Sequence, residues 1–130
     1  MILAFLLSIV AHEGGHITAA LLRGDRTPIE RGRLNPLSYI DPAMTILAPL
    51  MSYVLSGGAI VAGGLKPVPL GPNTPIHVFA AGIYAHVVLA GVGLLWWHDL
   101  FVVNVVLAAF NAVPLPPLDG HYILRRCKNG

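Results

Sequence analysis

The chain has 130 residues and a formal net charge of +2, with 55% of its residues apolar and only 11% charged, roughly half the usual charged share. With a mean hydropathy of +0.72, this composition excludes a disordered segment, a nucleic-acid-binding surface and a solvated helical bundle, and reads as a small integral membrane protein of a lipid bilayer. The single cysteine, Cys127, excludes an intramolecular disulfide and a cysteine-based zinc cluster, so a metal would be held by histidine and carboxylate.

Charge placement divides the chain. Six charges fall between Arg23 and Arg33 and three more between Arg125 and Lys128, leaving four long stretches nearly free of charge. Residues 1–22 carry only Glu13 and approach the roughly 20 residues that cross about 30 Å of hydrocarbon as a helix. Lacking a basic start and an Ala-x-Ala cleavage pattern, this stretch is expected to be a retained span, not a signal peptide. Residues 27–40 contain Pro28, Gly32, Asn35 and Pro36 and suit one or two short strands or loops at the interface.

Residues 41–64 carry only Asp41 and are broken by Pro49, Gly57, Gly58, Gly63 and Gly64. A broken segment at membrane depth is tolerated when it is buried in protein or lines a wet cavity, so re-entry competes with crossing. Re-entry puts Lys66 and the basic C-terminal residues on the same side as Arg23, Arg26, Arg31 and Arg33, as the positive-inside rule prefers. Residues 66–75 hold four prolines and form a rigid, extended connector. Residues 76–97 and 100–118 supply further spans, and Trp96 and Trp97 between them suggest an aromatic belt at the opposite surface. The expectation is an all-α, polytopic membrane protein: a single domain of three full spans plus a re-entrant or fourth span, with a short interfacial β or loop segment.

The chemistry is concentrated in His12-Glu13-Gly14-Gly15-His16. Residues four apart on a helix stand over one another, so both imidazoles can reach one Zn²⁺ while the adjacent Glu13 is left to act on a water. A lone His-x-x-x-His pair is often incidental, but three ionisable groups in five residues of an apolar span are costly without a function. A catalytic zinc usually has three protein ligands and an open position. Candidates for the third are Asp41, His77, His86, His98, Asp99, Asp119 and His121. Asp119 stands out because Pro114, Pro116 and Pro117 break the helix before it and free the chain to turn a carboxylate inward, although an interfacial loop aspartate is the plain alternative. Gly82, His86, Ala90 and Gly93 form a small-residue ridge at helical spacing, as do Asn104, Ala108 and Asn111. Plain helix packing explains the glycines and alanines, and interior hydrogen bonding suits the asparagines.

The ordered set of motifs resembles the site-2 protease family of intramembrane zinc metalloproteases, in its compact form without a PDZ domain. It runs from the His-Glu-x-x-His motif through Arg31-Gly32-Arg33-Leu34-Asn35-Pro36-Leu37, Ile40-Asp41-Pro42 and Leu65-Lys66-Pro67-Val68-Pro69 to Phe110-Asn111 and Pro116-Pro117-Leu118-Asp119-Gly120. The resemblance implies one zinc held by His12, His16 and Asp119, Glu13 as catalytic acid and base, and Asn111 near the site. It also implies a transmembrane protein substrate and a prokaryotic cell membrane. Because water must reach Glu13 from the basic interface at Arg23, the site is expected to open toward the cytoplasm. The segment around residues 32–40 would pair with an unwound substrate as an added strand. The chain departs from the family pattern at His121, where a glycine usually follows Asp-Gly, and at His86, where the third-span motif has asparagine. For His86 three readings compete: passive packing, a hydrogen-bond donor to substrate or oxyanion, and a fourth zinc ligand, which would close the position needed by water. Rival functions are a metal transporter, which would spread ionisable residues along a path, and an inactive family member.

Overall fold

Glycines and prolines set where the apolar helices stop. The computed structural model describes residues 1–31 and 36–129, and begins with α1, Ile2–Leu22. Gly24 takes φ +80°, which a residue with a Cβ resists. The Gly24 N–H thereby reaches the Leu21 carbonyl and the Asp25 N–H the Ala20 carbonyl, each at 3.0 Å, closing the helix as a Schellman motif. A short helix α2, Thr27–Glu30, follows, with Pro28 in its first turn, where a missing N–H costs nothing. A 3₁₀ turn occupies Pro36–Tyr39. Where a short strand was one expectation, the described residues form helical turns, and no strand occurs among the described residues. Residues 32–35, the glycine- and arginine-bearing part of the expected pairing segment, lie outside them.

Asp41 starts the next element by accepting the Ala43 and Met44 N–H groups at 3.0 and 3.1 Å, an N-cap role for the one charge of its stretch. Pro42–Leu47 is π-helical and runs into α3, Ala48–Leu55, the wide turn lying just ahead of Pro49, which has no N–H to give. The combined helix Pro42–Leu55 rises only about 21 Å, too little to cross. Gly57, at φ +64°, then turns the chain, with the Gly57 N–H on Val54 and the Gly58 N–H on Tyr53. The returning segment is stitched to the outgoing helix. Ser52 Oγ accepts the Ala62 N–H at 2.9 Å, Thr45 Oγ1 donates to the Gly64 carbonyl at 2.7 Å, and the Lys66 N–H reaches the Tyr39 carbonyl at 2.7 Å. Residues 41–64 therefore go out and come back, and their two ends meet.

After an irregular connector, α4 spans Ile76–Trp96 and α5 spans His98–Asn111. Gly93 makes this hairpin tight: a Cβ there would sit 2.8 Å from the Leu100 carbonyl carbon. The stretch 100–118 does not form the full span its composition suggested. Helix α5 stops at Asn111, residues 112–118 turn irregularly through Pro114, Pro116 and Pro117, and α6 begins afresh at Asp119, running to Asn129. Proline removes donors the helix would need, so α5 is about 21 Å long. The described helices long and apolar enough to cross a membrane are therefore α1 and α4, where three full spans were expected.

α4 is the central helix, packed between α1 and α5 with α6 against it. Ala4, Phe5 and Ile9 of α1, Val61 of the returning segment, and Leu100, Val103 and Leu107 of α5 form one apolar cluster. Around it the usual polarity is inverted. On α1 the inward stripe includes Ser8, His12, Glu13 and His16, whereas Ile2, Leu3, Leu6, Leu7 and Val10 face outward. Large apolar residues outside and ionisable ones inside are what a hydrocarbon surrounding selects.

The basic ends converge. Asp25, just after α1, accepts the Gly71 N–H at 2.9 Å, and Arg126 of α6 donates to the Pro72 carbonyl. Arg23, Lys66 and the Arg125–Arg126 pair therefore share one end of the molecule.

Candidate metal centre

Helix α1 presents His12 and His16 one turn apart on its buried face, and α6 brings Asp119, buried at its first turn, up to them. Donor atoms of three residues converge. His12 Nε2 and His16 Nε2 are 3.2 Å apart, His12 Nε2 lies 3.4 Å from Asp119 Oδ2, and His16 Nε2 lies 3.3 Å from Asp119 Oδ1. These separations are close to the roughly 3.4 Å edge of a tetrahedron with ligand bonds of about 2.1 Å, each imidazole facing a different oxygen of Asp119. One donor atom from each residue lies within 4.8 Å of the others, so the three residues can close on one ion. They are the described group able to hold a metal, and Asp119 Oδ2 is a buried acceptor with no hydrogen-bond partner among the described residues.

The surroundings orient the donors. His16 Nδ1 contacts the Val78 carbonyl at 2.8 Å. A carbonyl only accepts, so Nδ1 carries the proton and Nε2 keeps its lone pair toward Asp119, the arrangement seen around ligating histidines. Gly82 of α4 makes room: a Cβ there would lie 2.5 Å from His12 Cε1 and would collide with His16 Nε2. Gly15 likewise lets α1 meet α4, since a Cβ would lie 2.8 Å from the Ala81 carbonyl oxygen.

Glu13 points into the same space. Its Oε2 accepts the Val68 N–H at 3.2 Å, while its Oε1 stands 4.0 Å from His12 Nε2. One carboxylate oxygen is thus tied to the connector and the other faces the metal position. The group opens on a cleft of about 710 Å³ whose walls include Leu65, Val68, Phe110 and Tyr122, with Lys66 and Arg125 at its basic end.

The other candidates go elsewhere. Asp41 borders the same cleft but is outside the donor group and caps a helix, His77 and His98 are exposed, and His121 packs edge-on against Tyr122. Asp99 lies at the first turn of α5, roughly 18 Å along the helix from Asn111. Asn111 lines the cleft but gives its amide N–H to the Leu107 carbonyl of its own helix. His86 is outside the donor group: its ring stacks on His12 with centroids 4.8 Å apart, and its Nδ1 meets Asn104 Oδ1 at 2.9 Å. Partners that escaped the sequence reading include the backbones of Val68 and Val78 and the side chain of Ser8. Val68 acts through its backbone, which leaves no side-chain signature. Ser8, a polar residue four before His12 on an apolar span, did carry a usable signal.

Two curated proteins are similar to this chain over most of its length. "Putative zinc metalloprotease YwhC" of Bacillus subtilis (strain 168) is 28% identical over 155 residues, covering 95% of the chain and 67% of that protein. "Putative zinc metalloprotease Rip2" of Mycolicibacterium smegmatis is 29% identical over 140 residues, covering 93% of the chain and 54% of that protein. The chain thus spans about half to two thirds of the length of these relatives. No family model matches the chain, and no solved structure matches it. Both relatives are named for zinc metalloprotease activity, in line with the site-2 protease resemblance that the motifs carry.

Proposed function

We propose that the chain is a zinc-dependent endopeptidase of the site-2 protease type that hydrolyses peptide bonds of transmembrane proteins within the bilayer. The observation that carries this reading is the convergence of His12, His16 and Asp119 at 3.2–3.4 Å with a free oxygen of Glu13 beside them. His12, His16 and Asp119 would hold the ion, which when bound would provide Lewis-acid polarisation of a peptide carbonyl and acidification of a water.

Glu13 does the proton work. The Val68 N–H fixes Oε2, so Oε1 takes the proton of the attacking water and later returns it to the leaving amine nitrogen. The attacking oxygen becomes part of the new carboxylate, and the C–N bond breaks as the amine is protonated. A helical substrate has its carbonyls hydrogen-bonded, so it must unwind locally before one can enter the cleft. Water reaches the site from the end bearing Arg23, Lys66 and Arg125, about 15 Å along α1 from Glu13. By the positive-inside rule that end faces the cytoplasm of a prokaryotic cell. Asn111 borders the cleft and His86 buttresses the ligands.

Zinc analysis of the purified chain in detergent tests the ligand set. The parent should hold one zinc per chain and Asp119→Ala clearly less; unchanged occupancy in Asp119→Ala would remove Asp119 from it.

A further inference from the structure

We propose that Ser8, Asn104 and His86 form a positioning array that holds the His12 ring for the metal. The inference rests on the metal reading above but concerns residues outside the donor set. Hydrogen-bond polarity runs one way through the array. Ser8 Oγ donates to the Ala4 carbonyl at 2.6 Å, so its lone pair accepts Asn104 Nδ2 at 2.8 Å. The second N–H of that amide goes to the Leu100 carbonyl at 2.8 Å. Both amide protons are then used and Oδ1 is the acceptor, which makes His86 Nδ1 the donor in the 2.9 Å contact between them. All three side chains are at most 1% exposed, and they join α1, α5 and α4.

The array ends on the face of a ligand. The His86 ring stacks on His12 with centroids 4.8 Å apart and planes at 26°. The two ligand histidines differ in what orients them. His16 is held by the Val78 carbonyl. His12 Nδ1 faces the Gly82 backbone but makes no hydrogen bond of normal geometry there, so its ring is aimed mainly by the surfaces it packs on. His86 is one of those surfaces. Rotating it would leave a buried donor and a buried acceptor unpaired, which is expensive in a dry interior. Asn104 and Ser8 therefore fix His86, and His86 fixes His12.

The test uses the whole chain in detergent, with zinc affinity read by competition against a chromophoric chelator and ligand geometry read from the visible absorption bands of the Co²⁺-loaded protein. Outer partners of ligating histidines are typically worth 10–100-fold in affinity. Asn104→Leu should bind zinc about tenfold more weakly and shift the Co²⁺ bands. Ser8→Ala, a substitution helices accept easily, should weaken binding about threefold in the same direction. Parental zinc affinity and Co²⁺ bands in a helical Asn104→Leu protein would overturn the proposal, even if the metal-free protein melted earlier, because that pattern means packing alone. If Asn104→Leu does not fold, parental affinity in Ser8→Ala overturns it equally. A parent that takes up no zinc would instead defeat the metal reading, and this inference with it.

Discussion

His16 Nδ1 donates to the Val78 carbonyl at 2.8 Å, joining α1 to the first turn of α4. This contact settles which nitrogen of His16 faces Asp119, and it requires α4 to lie close against the histidine face of α1. Gly82, one turn further along α4, permits that approach.

Gly82→Ala should therefore cost metal affinity before it costs the fold. The new Cβ would fall 2.5 and 2.7 Å from His12 Cε1 and Nδ1, driving the helices or the rings apart by overpacking worth about 1–3 kcal/mol. Zinc affinity should fall at least about tenfold while circular dichroism stays helical. Parental affinity would mean that the rings do not occupy the space beside Gly82.

Asp25 clamps the connector above the cleft. Its Oδ1 and Oδ2 accept the Thr27 and Gly71 N–H groups, each at 2.9 Å, and hydrogen bonds from Thr27 first, then Gly71, hold its carboxyl below the usual carboxylate range. A carboxyl whose folded pKa is depressed contributes stability above its unfolded pKa, about 3.9, and loses it as pH falls through the folded value. Amide exchange at Gly71, corrected for the intrinsic pH dependence, should be protected at neutral pH and lose protection below about pH 4. Asp25→Ala should show the unprotected rate at both, and parental protection in that variant would remove the clamp.

Cys127 is exposed on α6, on the helix whose Arg126 reaches Pro72. If the basic end is cytoplasmic, an impermeant thiol reagent should label Cys127 in inverted vesicles and not in right-side-out ones. The reverse pattern would turn the molecule over in the bilayer.

Much of this arrangement was local enough to be read from the residues. The one-turn spacing of His12 and His16, the apolar runs that became α1 and α4, and the glycines that reverse the chain after Leu55 each depend on neighbours a few positions away. Choosing Asp119 from seven candidate ligands was different: the prolines before it set it apart but left an interfacial loop aspartate as the alternative, because its approach is set by how α6 docks on α4. The length of α5 misled for a local reason, since an apolar run through Pro114 looks continuous on hydropathy but not on hydrogen bonding. The Val68 N–H on Glu13 spans 55 positions and the Asn104–Ser8 contact 96. Pairings at such separations leave no periodic trace, and only the presence of polar residues on apolar helices hints that they exist.

Glu13→Gln tests the central claim most directly, because the amide keeps the shape of the side chain but cannot take up a proton. With zinc content and cleavage of a model transmembrane substrate measured on the same preparations, parent and variant should each hold one zinc per chain. Cleavage should fall at least about a hundredfold in the variant. Cleavage by the zinc-loaded Gln variant near the parental rate would contradict the account.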